Sequence, residues 1–338
     1  MITKSRLYLI DILKVAALIA IAVLHSNEFV FYTHDFPLGT NSPVYKLALY
    51  YARCFVIGGQ ILVSTIYFLF GYTGKSKKSL LYISLFALMG QLILSLIFKT
   101  FEWDIYAYLA VSNLLIVLTP FFYKKNPTAA LISFLMLLIP TYLFKVNTPD
   151  SPFFAVLTGK MTEYNTASWP MLPWFFLSIL FYQAGLYARG NERLKRLSRP
   201  EKVLFPILFI SGIPFLLKYY DVPIGQYYYD FSFNQPPYIF WCNFMMWIIV
   251  MRLSLVESIQ KKIEGNRLVI MISELYWLRH LGATYLISII YLGLGMNFTE
   301  VFYENPKLFD LFFVGVLVVP EITSRIVVKI IQKIKRPR

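Results

Sequence analysis

Long apolar runs, repeated from one end of the chain to the other, most limit what this sequence can fold into. Each is roughly 18 to 22 residues long, enough to cross about 30 Å of hydrocarbon as a helix. Charged residues make up 15% of the chain, where a soluble domain usually carries about 25%. Soluble β-rich and α/β folds are excluded on this ground. What remains is an all-α, polytopic integral membrane helical bundle, because backbone polar groups in lipid must bond within their own segment. The runs predict about ten transmembrane helices, over residues 7–25, 45–73, 79–99, 105–123, 128–145, 170–188, 203–219, 237–256, 281–296 and 307–328. No repeat, low-complexity tract or soluble insertion interrupts them, so residues 1–338 read as a single transmembrane domain.

The formal net charge of +14 raises the question of nucleic acid. Placement of the cations answers it. They lie in short segments between apolar runs, the pattern of a topology signal, and no nucleic-acid partner is expected. With the N-terminus inside, the inner segments collect Lys75, Lys77, Lys78, Lys124, Lys125, Arg189, Arg193, Lys195, Arg196, Arg199 and others. The asymmetry is roughly 22 inner cations to 6 outer ones, as the positive-inside rule demands. The expected location is therefore the cell membrane, multi-pass, with both termini cytoplasmic and the lipid bilayer as partner. The first 24 residues resemble a signal peptide. Asp11 and Lys14 interrupt the run and no small-residue cleavage site follows, so it reads as the first span.

Cys54 and Cys242 both lie in apolar runs and read as small core hydrophobes, not as a disulfide or metal pair. Segment 267–280 is apolar but carries Glu274, Arg279 and His280. It reads as a helix along the inner face, or re-entering, instead of a further span. The predicted outer loops 26–43, 146–169 and 220–236 are rich in aromatic, amide and acidic residues, including Tyr227, Tyr228, Tyr229 and Asp230. Such rings suit sugar stacking, and they equally suit an interfacial aromatic belt.

Inside the first predicted helix stand three polar residues, Asp11, Lys14 and His25. A charge within a spanning helix is costly and usually faces a cavity or a partner. Lys14 and His25 are eleven residues apart, which at helical pitch puts them within about 20° of each other and about 16 Å apart along the axis. Asp11 is three residues before Lys14, close enough for an ion pair. The stripe reads either as a structural lock or as part of a functional site.

This run resembles the opening of the transmembrane acyltransferase superfamily. That group includes the bacterial acyltransferase-three membrane proteins and the heparan-glucosaminide acetyltransferase-like proteins. Its first helix carries an acidic residue, a basic residue three positions on, and a histidine after ten more; here these are Asp11, Lys14 and His25. The basic residue is most often Arg, so Lys14 keeps the charge without the bidentate fork. Ile66-Tyr67-Phe68-Leu69-Phe70-Gly71-Tyr72 is similar to the apolar-aromatic stretch ending in Gly-Tyr after the second helix. Trp169-Pro170-Met171-Leu172-Pro173-Trp174 is similar to the Pro-x-x-Pro-Trp signature of the heparan-acetyltransferase-like branch. Gly282-Ala283-Thr284-Tyr285-Leu286 resembles the late Gly-x-x-(Ser/Thr)-Leu motif, without the histidine that often follows it.

The resemblance implies transfer of an acyl group, usually acetyl, from cytoplasmic acyl-CoA to a hydroxyl or amine of an extracytoplasmic carbohydrate or glycolipid. It makes His25 the candidate general base or transient acyl carrier. Lys14 would hold the donor's carbonyl or phosphate, and Asp11 would orient Lys14. His34 beside Asp35, Arg53, Glu28 and Trp174 are the candidate substrate-binding residues. Proteins of surface-polysaccharide biosynthesis would be partners. The 3 histidines are scattered, without paired His or Cys spacing, and no metal site is expected. Nor is there a P-loop or dinucleotide fingerprint. A transporter or flippase for a lipid-linked sugar or small metabolite is the alternative, although the matching broken helices of many transporters are missing.

Overall fold

The computed structural model describes residues 6–31, 58–99, 105–138, 149, 151–158, 171–218 and 247–334. Every regular element among them is a helix. Among the described residues, three helical stretches are long and apolar enough to cross a membrane: Lys77–Ile97, Leu281–Phe302 and Lys307–Ile330. They present apolar side chains outward, such as Leu85, Leu96 and Leu311, an arrangement that suits contact with lipid.

The chain divides into two compact units, taken here separately. Unit 1 holds residues 60–215 and 222–257 together with the first six. Its helices are α2 (Gly58–Thr73), α3 (Lys77–Phe98), α4 (Ile105–Leu118), α5 (Pro120–Tyr123), α6 (Pro127–Leu138), α7 (Pro152–Thr158), α8 (Met171–Ala188), α9 (Arg199–Lys218) and α10, described over 247–254.

Proline sets two of the local breaks in this unit. The expected helix over 105–123 is cut at Thr119, which is extended at φ −106°, ψ 100° because Pro120 follows. Leu172 before Pro173 is extended for the same reason, at φ −101°, ψ 127°. α3 and α4 pair as neighbours. Gln91 of α3 accepts from the backbone N–H of Ala107 at 3.2 Å, satisfying a free donor in the first turn of α4. α2 and α8 cross so closely that a Cβ on Gly71 would strike the Tyr182 carbonyl, and one on Gly185 would strike that of Phe68. Small residues at a crossing allow such backbone approach. The Gly-Tyr at residues 71–72 thus has a packing explanation.

One end of unit 1 is knitted from three connections. Fully buried Gln183 donates to the carbonyls of Phe122 (2.7 Å) and Lys124 (2.9 Å) and accepts from Asn126 N–H (2.9 Å). Tyr123 Oη donates to the Lys75 carbonyl at 3.3 Å. Ser198 and Glu201 form a capping box at the start of α9, with Ser198 N–H donating to Glu201 Oε2 at 2.7 Å. Arg252 grips the same carboxylate through Nε (2.7 Å) and Nη2 (3.1 Å) and donates to the carbonyls of Leu194 and Arg196. Burial pushes the Glu201 carboxyl up, but the Ser198 N–H, the Arg252 guanidinium and the Ser198 hydroxyl outweigh it and hold it below its ordinary value.

Unit 2 joins residues 7–59 to 258–338, with 216–221 between. Its helices are α1 (Tyr8–Phe31), α11 (Glu257–Glu264, the first residue lying in unit 1), α12 (Arg267–Ser273), α13 (Tyr276–Arg279), α14 (Leu281–Gly295), α15 (Thr299–Glu304) and α16 (Pro306–Ile334). Segment 267–280 is a pair of short helices, α12 and α13. Leu268 and Met271 are exposed, while Val269, Ser273 and Trp277 are buried. Glu321 of α16 reaches the first turn of α13, accepting from Tyr276 N–H (3.0 Å) and Trp277 N–H (3.1 Å). Pro320 inside α16 cannot donate to the carbonyl of Val316. Ser288 of α14 donates to that carbonyl instead, at 3.4 Å. α14 and α16 also interlock through glycine: Phe312 lies over Gly295 and Tyr291 over Gly315.

Candidate functional site

α1 packs against α12, α13, α14 and α16. Alanines make this possible: Ala17 and Ala20 are 0% exposed, and their size lets neighbouring backbones approach. The start of the helix is held from the C-terminal part of the chain, where Gln260 Oε1 accepts from Tyr8 N–H at 3.2 Å. Asp11 lies in the first turn, where the helix dipole favours a carboxylate. Lys14 Nζ stands 3.0 Å from Asp11 Oδ1, with both side chains about nine-tenths buried. An isolated charge would be unaffordable there; the pair compensates itself.

His25 is 8% exposed. Its Nε2 is 2.9 Å from the hydroxyl of Tyr285 on α14, with ring centroids 6.0 Å apart. The neighbouring Thr284 ties α14 to α16: its hydroxyl is 2.9 Å from that of Ser324 on α16 and 3.1 Å from the His280 carbonyl. Ser26, next to the histidine, bonds back to the Ala22 carbonyl at 2.7 Å. Ion pair and imidazole are thus two stations on one buried helix, about 16 Å apart along its axis. An imidazole beside a phenol can take a proton from a hydroxyl or amine, or carry an acyl group. A buried ammonium can hold a carbonyl or phosphate oxygen.

The remaining candidates divide in another way. His34, Asp35 and Arg53 lie outside the described residues, as do Cys54 and Cys242. Glu28 is three residues beyond His25 on α1, and its side chain is outside the description too. Trp174 is buried, 3% exposed, in α8 of unit 1, whereas the α1 stations belong to unit 2. His280 stands where α13 meets α14, its ring 5.1 Å from that of Tyr276. Among the described residues no group of three His, Cys, Asp or Glu side chains gathers.

Sequence reasoning missed Tyr285 as a site residue. It stands in the 282–286 motif, where attention fell on the glycine, threonine and leucine. A tyrosine in an aromatic-rich apolar helix gives no local sign that its hydroxyl meets an imidazole 260 residues away.

The class defined by fold and site is an all-helical protein with membrane-length apolar helices and a buried Asp–Lys pair and histidine on its first helix. The chain matches no family model, no curated protein and no solved structure.

Proposed function

We propose that this chain is a multi-pass membrane acyltransferase. It moves an acyl group, most simply acetyl, from cytoplasmic acyl-CoA to a hydroxyl or amine of a carbohydrate or glycolipid on the far side of the membrane. In this reading about ten helices cross the bilayer and both termini are cytoplasmic. The charge asymmetry between alternate connections supports that topology. So does the joining of the lysine-bearing connections around Lys75 and Lys124 at one end of unit 1, where Arg189 also lies against Gly74.

The observation that carries the proposal is His25, buried on α1 with its ring bonded to Tyr285 and in line with the Asp11–Lys14 pair. In the simplest chemistry the imidazole takes the proton of the acceptor hydroxyl as that oxygen attacks the thioester carbonyl. The C–S bond then breaks, and the coenzyme leaves as a thiolate that takes up a proton. Lys14, oriented by Asp11, holds a phosphate oxygen of the coenzyme deeper in the bundle, away from the reacting thioester. Acyl-CoA supplies the activated acyl group, and the chain's residues supply proton transfer and positioning.

The test is a His25→Ala variant in membranes supplied with radiolabelled acetyl-CoA. At matched expression, label transfer to the glycan or glycolipid fraction should fall by about 10²–10⁴-fold. Unchanged transfer removes the reading.

A further inference from the structure

The interior of unit 1 contains polar side chains with no protein partner. Ser64, Tyr67, Ser112, Asn113 and Ser133 are all 0% exposed. Their hydroxyls, and both amide atoms of Asn113, make no hydrogen bond. Three of the helices bring hydroxyls to one place. Tyr67 of α2 is within electrostatic reach of Tyr108 on α4. The Ser112 hydroxyl neighbours both phenols, yet has hydrogen-bond geometry to neither. Behind them Tyr108 Oη is 2.6 Å from Ser178 Oγ on α8. Ser64 lies one helical turn from Tyr67, on the same side of α2.

A buried polar atom without a partner is destabilising in any protein, and more so in a bundle surrounded by hydrocarbon. Elsewhere in the same unit a buried polar side chain is fully satisfied: Gln183 uses its whole amide on three backbone groups. The unpartnered groups therefore point to an occupant, and their chemistry describes it. Hydroxyls both donate and accept, and none of these groups carries a charge, so the occupant is neutral and does both. Full enclosure makes it small. Water meets each condition, since internal waters typically bond two to four otherwise unsatisfied polar groups.

We propose that Tyr67 and Ser112, with Ser64 a turn away and the Tyr108–Ser178 pair behind them, form an internal water site in the core of unit 1. The site is independent of the α1 stations and of the acyl-transfer reading.

Two measurements on the full-length protein in detergent or nanodiscs test it. Tyr67→Phe removes one oxygen and keeps the ring. In a dry core this discards an unsatisfied hydroxyl, and Tm holds or rises. In a hydrated core it breaks the water's bonding, and Tm falls by about 2 °C or more. The second measurement needs no variant: brief X-ray radiolysis in ¹⁸O water, read by mass spectrometry. Radicals formed from bound water should label Tyr67 much faster than Phe309, a ring 1% exposed in an apolar setting. Labelling of Tyr67 no faster than Phe309, or a Tm that holds or rises in Tyr67→Phe, overturns the proposal.

Discussion

Among the described residues, unit 2 pairs its buried polar groups within the protein, and unit 1 leaves several of its own to something else. In unit 2 Asp11 meets Lys14, His25 meets Tyr285, Thr284 meets Ser324, and Ser288 occupies the carbonyl that Pro320 cannot serve. In unit 1 Gln183 and Ser84 are satisfied, the latter by the Ala110 carbonyl at 2.5 Å. Ser64, Tyr67, Ser112, Asn113 and Ser133 are not. A polar group whose partner is a side chain is locked at a fixed distance, which suits holding an ion or an imidazole in place. One whose partner is a water keeps its polarity and tolerates small shifts of the helices around it. Precision belongs to the first region and adaptability to the second.

The sharpest way to break this contrast is to strip one partner from unit 2. Lys14→Met removes the ammonium that stands 3.0 Å from the buried Asp11 carboxylate and should cost up to about 3–5 kcal/mol. Denaturant unfolding in detergent checks it. Adding Asp11→Leu should recover most of the loss, because a buried ion pair replaced by apolar residues is often neutral. The acyl transfer proposed above should be lost in the double variant even though stability returns.

Next in size is the helix crossing in unit 1. Gly185→Leu forces α8 away from α2 and should cost about 3 kcal/mol. The fall in Tm should exceed that of a Leu substitution at Gly190, where a Cβ would meet open space, although the positive φ of 72° there adds some strain.

The Glu201–Arg252 clasp should be worth about 1–3 kcal/mol, as a charge-assisted bond near the surface. Its pH dependence has a definite sign. The folded carboxyl is held below its unfolded value, so the stabilisation is present above the ordinary glutamate range and is lost as pH falls through the depressed value. Protection factors for hydrogen exchange at residues 194–202, with the intrinsic pH dependence divided out, should therefore fall on acidification. Glu201→Gln should be weakly protected at every pH, and a wild-type profile in that variant would deny the clasp its role.

The smallest effect expected is that of Tyr285→Phe, about 1 kcal/mol in stability. Its informative readout is the pH profile of the proposed acyl transfer. A positioning role for the phenol predicts a shifted profile, whereas a purely structural role leaves the profile in place and lowers only the amount of folded protein.

Much of the architecture was legible from local pattern. The apolar runs located most of the long helices among the described residues, and the spacing of Asp11 and Lys14 foretold an ion pair that stands at 3.0 Å. Other features were legible but were read across. Pro120 and Pro173 each force the preceding residue out of the helical region, yet the expected helices ran through both. α1 extends to Phe31, past the expected end at residue 25, because an apolar run marks where hydrophobicity falls and not where backbone bonding stops. The partner of His25 was not legible at all. Nothing in the composition around Tyr285 differs from the other tyrosines of the apolar helices.

Hydropathy and spacing by themselves determined that this protein is helical, which segments are apolar enough for lipid, and which neighbours on one helix can pair. Those properties depend on the solvent and on a 3.6-residue period, and both are written locally. Tertiary structure alone decided that α1 packs on the C-terminal helices, that a phenol meets the histidine, that α2 and α8 touch backbone to backbone, and that some buried hydroxyls of unit 1 make no hydrogen bond to protein. The reason is physical: a hydrogen bond between distant residues needs its atoms within a few tenths of an ångström of one geometry. Only the packing of whole helices sets that.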